Sequence, residues 1–261
     1  MDIPSIYCLG LKISIYTQSE LEQYIESCLL GNKRNIFYGY SIGLFPKLKN
    51  NLPLLNVCNS FDLMVTDGRI FYIYMKWLKV PLKYDISIPQ LTIKVIDMAN
   101  RFSKSVLLFG GTKRNNELAT KNLDLKYTNA IFRKGIDGYQ DLNEEQLIVE
   151  NINKTKPDIL LIGMHSPFKE EFAYRNKERL DCKIIIPCGG MIDVFAGNKK
   201  LTPTWIKKIG FAWLYRFVQN PVSRFKLTAT YSYYFIFKLI PMLIKIRIFN
   251  KKYTKSIAEI I

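Results

Sequence analysis

The sequence is poor in residues that bind transition metals. Its 261 residues include one histidine and five cysteines, and no two cysteines form a Cys-x-x-Cys pair. A zinc site is therefore not expected, and unpaired thiols favour a reducing compartment such as the cytoplasm. No two aspartates are separated by a single residue, so the carboxylate pair with which many nucleotide-sugar transferases hold a metal is missing. We expect neither a bound metal nor a cofactor.

Acidic residues are scarce at the C-terminal end. Residues 201–261 hold 11 lysines and arginines but one acid, in a chain whose net charge is +16. Such a basic end predicts a polyanionic partner: anionic lipid, nucleic acid or a phosphorylated substrate. Nucleic acid is the least expected of the three, because the charge lies among apolar aromatic residues and not in a recognisable groove-reading module.

The chain also lacks an uninterrupted apolar run of the length that a membrane span requires. A transmembrane helix needs about 20 predominantly apolar residues, and the stretch 227–249 is interrupted by Lys238, Pro241 and Lys245. Aromatic residues beside lysines favour a helix lying in the membrane interface, with a helix packed on the protein and a true span as the alternatives. No signal peptide is evident, because MDIPSIYCLG lacks a basic flank followed by a long apolar core.

Short apolar runs alternate with amphipathic stretches, which predicts an α/β fold with a mostly parallel sheet flanked by helices. The predicted strands are Ile36–Tyr40, Leu63–Thr66, Val106–Phe109, Ile159–Ile162 and Ile184–Pro187. The predicted helices are Ser19–Leu29, Ile70–Leu78, Gln90–Arg101, Asn115–Asn122, Asn143–Asn153 and Phe168–Arg179. The change of composition near Leu201 predicts a core of residues 1–200 and a basic, aromatic helical appendage of residues 201–261.

Ligands of parallel sheets bind at the carboxyl ends of the strands, where three segments are notable. Asp67 ends the strand in LMVTDGRIFY, where it is expected either to cap the following helix or to act as a general base. Gly110 and Gly111 precede a helix and form either a phosphate cradle or a tight turn. The third segment contains His165, the one histidine.

Residues 39–43 read Gly-Tyr-Ser-Ile-Gly, which matches the G-x-S-x-G pattern of a nucleophile elbow. This pattern would make Ser41 the nucleophile of a serine hydrolase, with His165 as its base. The segment lies early in the chain for that fold, and a five-residue pattern arises easily by chance. The hydrolase is therefore retained as an alternative only.

The order of several segments resembles the WecG/TagA/CpsF glycosyltransferase family. The resemblance covers about Ile36 to Arg224 and rests on VTDGRI, VLLFGGTKRNNELA, INKTKPDILLIGMHSPFKEE and CGGMIDVFAGNKKLTPTWIKKIGFAWLYRFVQNP. It implies a Rossmann-like core whose C-terminal appendage brings arginines and membrane contact to the active site. It further implies inverting, metal-independent transfer of a hexose or N-acetylhexosamine from a UDP-sugar to a polyprenyl-diphosphate-linked sugar. Such enzymes act at the cytoplasmic face of the bacterial membrane in surface-polysaccharide synthesis, and some form homo-oligomers.

The resemblance also assigns site residues. It makes Asp67 the catalytic base, which takes a proton from the acceptor hydroxyl. The residues expected to bind substrates are Ser41, Lys83, Gly110, Gly111, Lys169, Asp193, Arg216 and Arg224. Several of these depart from the family pattern: Ser41 replaces an asparagine, Lys83 lies where the family has R-V-x-G, and Lys169 replaces a glutamine. A catalytically weak or inactive membrane-associated scaffold is therefore the second hypothesis, and it predicts no binding of UDP.

Overall fold

The computed structural model describes residues 2–49, 51–139 and 144–248. Its centre is a sheet of six strands, all parallel, in the spatial order β4-β3-β8-β7-β5-β6. The strands are β3 (Asn35–Tyr40), β4 (Leu63–Thr66), β5 (Ser105–Gly110), β6 (Ile131–Phe132), β7 (Ile159–Gly163) and β8 (Ile184–Ile186). A separate antiparallel hairpin of β1 (Ser5–Cys8) and β2 (Leu11–Ser14) precedes them.

Helices cover both faces of the sheet. They are α1 (Gln18–Leu30), α2 (Phe45–Lys49), α3 (Leu52–Asn59), α4 (Arg69–Trp77), α5 (Ile88–Arg101), α6 (Lys113–Lys126), α7 (Glu145–Lys154), α8 (Phe168–Asn176) and α9 (Met191–Phe195). Alternate residues of the central strands belong to two different apolar clusters: in β5, Leu107 and Phe109 belong to one and Leu108 to the other. Because successive strand residues point to opposite faces, the sheet is buried on both sides, which explains its continuously apolar strands.

The predicted α/β architecture is confirmed, and all five predicted strands form within a residue or so of the expected limits. The hairpin β1–β2, the two-residue strand β6 and the short helices α2, α3 and α9 were not predicted. The hairpin turns at Leu9 and Gly10, both with positive φ. Leu-Gly is not one of the Asn-Gly or Asp-Gly pairs by which such turns are usually recognised.

Every described element after Leu201 is a helix. These elements are α10 (Thr204–Lys208), α11 (Ala212–Gln219), α12 (Pro221–Tyr234), a π-helical turn (Phe235–Leu239) and α13 (Ile240–Ile248). Leu239, Met242 and Leu243 are buried in the cluster that contains Phe71, and the Tyr74 hydroxyl donates to the Leu239 carbonyl at 3.2 Å. One face of this segment therefore packs on the core, as one of the alternatives predicted. In the described ranges, no helix is both long and apolar enough to cross a membrane.

Candidate active site

Asp67 follows β4 directly, and its position depends on close packing against β3. Its backbone N–H donates to the Tyr40 carbonyl at 2.8 Å, which continues the pairing of the two strands. A Cβ atom on Gly39 would lie 2.7 Å from Val65 Cγ2 and 3.2 Å from Asp67 Cβ. Since real Cβ atoms essentially never approach another atom within 3.0 Å, only glycine fits at position 39 without a shift of Val65, the residue two before Asp67.

The Asp67 side chain does not cap the helix that follows it. Helix α4 begins after Gly68, which has φ +103°. Instead, Asp67 Oδ1 accepts a hydrogen bond at 3.0 Å from the backbone N–H of Ile88, the first residue of α5. The prediction that Asp67 caps its own following helix is therefore wrong, because the carboxylate satisfies an orphan amide of a different helix. Oδ2 has no hydrogen-bond partner among the described residues.

Asp67 lines a cavity at the carboxyl ends of β3, β4 and β8. The cavity has a volume of about 180 Å³, and its wall includes Ser41, Lys47, Asp67, Ser166, Lys169 and Tyr231. Clefts that enclose a drug-sized ligand measure roughly 300–1,000 Å³. The cavity therefore has room for one group of about the size of a sugar ring, and a nucleotide would have to lie outside it.

One wall of the cavity contains a buried charged cluster. Lys169 is 8% exposed and Glu170 is fully buried. The Lys169 ammonium donates to Glu170 Oε1 and to the Tyr38 hydroxyl, and the Tyr38 hydroxyl donates to the same carboxylate oxygen. Burial, and next the Glu170 charge, hold the pKa of Tyr38 well above its usual range. Tyr38 is therefore a neutral donor, and the lysine charge is balanced by the glutamate.

Two buried polar atoms beside this cluster have no hydrogen-bond partner within the described ranges: Glu170 Oε2 and Ser166 Oγ. Ser166 lines the cavity, and its carbonyl accepts from Lys47 Nζ at 2.9 Å. Buried polar groups are usually hydrogen-bonded. The Ser166 hydroxyl is therefore a candidate contact for a ligand in the cavity.

The C-terminal helices place one cation near Asp67 and a second cation near the first. Lys207 lies in α10 and Arg216 in α11, and both are partly buried. Burial, and next the charge of Arg216, lower the pKa of Lys207, while the Asp67 carboxylate acts in the opposite direction. Lys207 thus lies near both Asp67 and Arg216, and the role of Arg216 in substrate binding stays a prediction. Lys207 was not predicted, since nothing in the sequence distinguishes it from Lys208 beside it.

Three other predicted residues form a second cluster at the same edge of the sheet, here called the β5 cluster: Gly110, Gly111 and Asp193. Both glycines have positive φ, and a Cβ on Gly110 would lie 2.7 Å from the Gly163 carbonyl. The Asp193 carboxylate accepts from Asn115 Nδ2 at 2.9 Å and from the Lys199 ammonium. None of these three lines the cavity.

Of two further predicted cations, one does not line the cavity and the other has a side chain outside the described residues. Lys83 is exposed in the loop between α4 and α5 and does not line the cavity. Arg224 belongs to α12, but its side chain lies outside the described residues. The role of both in substrate binding therefore stays a prediction.

The nucleophile-elbow arrangement does not form. Ser41 lines the cavity, but its φ of −116° and ψ of 158° are ordinary extended values, unlike the strained turn of an elbow. His165 is exposed and stacks on Phe168, with ring centroids 6.3 Å apart. No hydrogen bond joins Ser41 to His165, both of which are described. The geometry therefore gives no support to a serine hydrolase.

Comparison with known proteins agrees with this architecture. A family model described as "Glycosyl transferase WecG/TagA/CpsF family" matches residues 6–248. An N-acetylglucosaminyldiphosphoundecaprenol N-acetyl-beta-D-mannosaminyltransferase from Staphylococcus aureus (strain MRSA252) is 32% identical over 162 residues, 62% of this chain and 63% of the relative. A relative of the same name from strain MW2 is 29% identical over 181 residues, 69% of this chain and 70% of the relative. The chain thus spans a little less than two thirds of the first relative.

Proposed function

The chain belongs to the glycosyl transferase WecG/TagA/CpsF family, and on that premise we propose that it transfers an N-acetylhexosamine or hexose from a UDP-sugar to a polyprenyl-diphosphate-linked sugar. The names of the two S. aureus relatives support an acetamido sugar as donor and a lipid-linked acceptor. One observation carries the proposal for this chain. Asp67 lies at a strand end and lines a cavity of sugar-ring size, with one oxygen held by an amide and the other without a hydrogen-bond partner among the described residues.

We propose that Asp67 acts as the base in a single displacement with inversion. The acceptor hydroxyl oxygen forms a bond to the anomeric carbon, and the bond from that carbon to the diphosphate oxygen breaks. UDP leaves with the bonding electron pair, and Asp67 Oδ2 takes the hydroxyl proton. One carboxylate suffices for this step, because no covalent intermediate has to be formed or hydrolysed.

In this proposal the sugar ring occupies the cavity, where Lys169 and Ser166 present donors to it. The nucleotide lies outside, toward the glycines and Asp193 of the β5 cluster. Lys207 and Arg216 balance the charge that develops on the leaving diphosphate, and the proposed reaction uses no metal or other cofactor. Arginine suits diphosphate oxygens because it donates two parallel hydrogen bonds, and cations fixed before the reaction stabilise developing charge most effectively.

We also propose that α10–α12 rest on the cytoplasmic face of the membrane. Aromatic and aliphatic side chains are exposed there beside lysines; they include Trp205 (67% exposed), Phe211, Trp213, Val218 and Phe225. Aromatic residues with neighbouring cations bind at the headgroup boundary. Such docking would place Lys207 and Arg216, and through them the cavity, beside a lipid-linked acceptor.

Flotation with liposomes tests the docking surface. The variant W205S/W213S should lose most of its binding to vesicles that contain anionic lipid, because both indoles are exposed and their removal leaves the core unchanged. W77S is the matched control, since Trp77 is also exposed, at 48%, but lies in α4. Equal binding of both variants would contradict the proposed surface.

The reaction is tested with the purified full chain and a panel of UDP-sugars. Thermal shift should identify a stabilising nucleotide sugar, because a ligand that binds only the folded state raises its melting temperature. UDP release should then require a polyprenyl-diphosphate-linked sugar, with the product identified by mass spectrometry. Liposome binding without stabilisation by any UDP-sugar would instead support the inactive scaffold.

A further inference from the structure

Two polar contacts attach the α4–α5 loop (residues 78–87) and the start of α5 to the end of β4. The first is the hydrogen bond from the Ile88 N–H to Asp67 Oδ1, at 3.0 Å. The second is an ion pair in which Arg69 Nη1 donates to Asp85 Oδ2, also at 3.0 Å. Both contacts originate in the tetrapeptide Asp-Gly-Arg-Ile at residues 67–70. The start of α5 therefore holds the carboxylate of Asp67 in place. The ion pair between Arg69 and Asp85 in turn holds the loop that precedes α5.

The Arg69–Asp85 pair is partly withdrawn from water. The side chains of Arg69 and Asp85 are 37% and 28% exposed, and the guanidinium carbon lies 5.3 Å from the centroid of the Tyr72 ring. Arg69 Nε is buried and has no partner in the described part of the chain. Burial raises the pKa of Asp85, Arg69 lowers it, and the charge of Asp67 raises it again. The two carboxylates thus interact, with Arg69 as the cation beside them.

Resting on the function proposed above, we infer that Arg69 is a positioning residue for the base. It holds Asp85, and with it the loop that delivers the Ile88 amide to Asp67 Oδ1. This contact fixes the carboxylate so that Oδ2 faces the acceptor hydroxyl. Arg69 also balances the charge of Asp85, the second carboxylate near Asp67.

The charges around Asp67 determine how the removal of Arg69 should change proton binding by Asp67. Lys207 approaches it from the appendage with Arg216 near Lys207, Lys47 and Lys169 line the same cavity, Glu170 balances the Lys169 charge, and Tyr38 in β3 is neutral. Removing the Arg69 charge leaves these groups in place but leaves Asp85 without its ion-pair partner. A like charge nearby favours the protonated form of a carboxyl group. Asp67 should then bind its proton at a higher pH than in the wild type.

The pH dependence of kcat/KM for the wild type, R69M, D85N and R69M/D85N tests this inference. R69M should move the acidic limb upward by about one pH unit, the lower end of the range for a neighbouring charge. Activity on that limb should then fall about tenfold. The double variant should return the limb to the wild-type position, because it lacks both charges, and R69K should retain most of the wild-type profile. R69M and the double variant should also lose activity at every pH, because both lack the ion pair that holds the loop. A loss at every pH without any shift of the acidic limb in R69M would show a merely structural role and overturn the inference.

A second measurement keeps this inference separate from the proposed reaction. NMR titration of ¹³C-labelled aspartate carboxyls, with the Asp67 signal assigned from D67N, needs no substrate. The Asp67 midpoint should rise in R69M and return in R69M/D85N. An unchanged midpoint in R69M would overturn the inference whatever the activity. A shifted midpoint in a chain that releases no UDP would leave the electrostatic coupling intact and contradict the proposed reaction.

Discussion

The cavity of Asp67 and the β5 cluster lie at the same edge of one sheet, yet their charged groups are in different surroundings. Asp193 in the β5 cluster has both carboxylate oxygens engaged, by Asn115 and Lys199, and its side chain is 25% exposed. Asp67 has one oxygen engaged and lines a cavity with a buried lysine. A carboxylate at the end of a parallel sheet is therefore a candidate base only where its partners leave an oxygen available.

The largest expected difference between the two regions is catalytic. D67N should lower kcat by about 10²–10⁴-fold, the usual contribution of a general base, because an amide accepts no proton at neutral pH. D193N should lower kcat by less than about tenfold, since Asp193 takes no part in the proton transfer and weaker donor binding would raise KM and leave kcat unchanged. The measurement is single-turnover UDP release at saturating donor.

Asp124, an exposed residue of α6, is the matched control, and D124N should behave as the wild type. If D193N were as damaging as D67N, the contrast between the two carboxylates would fail, and the base would have to be sought in the β5 cluster.

The two regions should also differ in how much a lysine–carboxylate pair contributes to the free energy of unfolding, a smaller difference than the catalytic one. Each region contains one such pair. K169M leaves Glu170 buried without its cation, and breaking such a pair typically costs about 3–5 kcal/mol of unfolding free energy. K199M breaks the pair with Asp193, in which Lys199 is 43% exposed. Exposed pairs contribute about 0–1 kcal/mol. Urea denaturation of the two variants measures both values.

The double variant K169M/E170Q sharpens this second comparison. It removes both charges, so most of the stability lost in K169M should return. If K169M were no less stable than K199M, the Lys169–Glu170 pair would not behave as a buried ion pair.

The fold could be predicted from the sequence wherever local pattern decided it. VLLF and ILLIG are strands because a sheet buried on both faces requires continuously apolar segments. The hairpin β1–β2 was missed because its turn lacks the usual residues, and β6 because two residues leave no pattern. The C-terminal segment was only partly predicted, since burial of Leu239 and Met242 depends on the surface that α4 offers to it.

The candidate site, like the fold, could be predicted from the sequence only in part. A carboxylate after a buried strand made Asp67 a candidate from its position alone, whereas its partners come from elsewhere in the chain. The Ile88 amide is 21 residues away and the Lys169–Tyr38 contact joins residues 131 apart. No local pattern encodes such contacts, so neither the Asp67–Ile88 bond nor the role of Lys207 could be predicted.

Residue order and composition were sufficient to specify an α/β chain with a carboxylate at one strand end and a basic, aromatic C-terminal segment. Apolar periodicity reports which residues must leave water, and this requirement acts locally. Only folding decided which of the carboxylates retains an available oxygen, which lysine becomes buried and which cations approach Asp67. Those properties depend on desolvation and on distances between residues remote in sequence, which exist only once the sheet and its helices have packed.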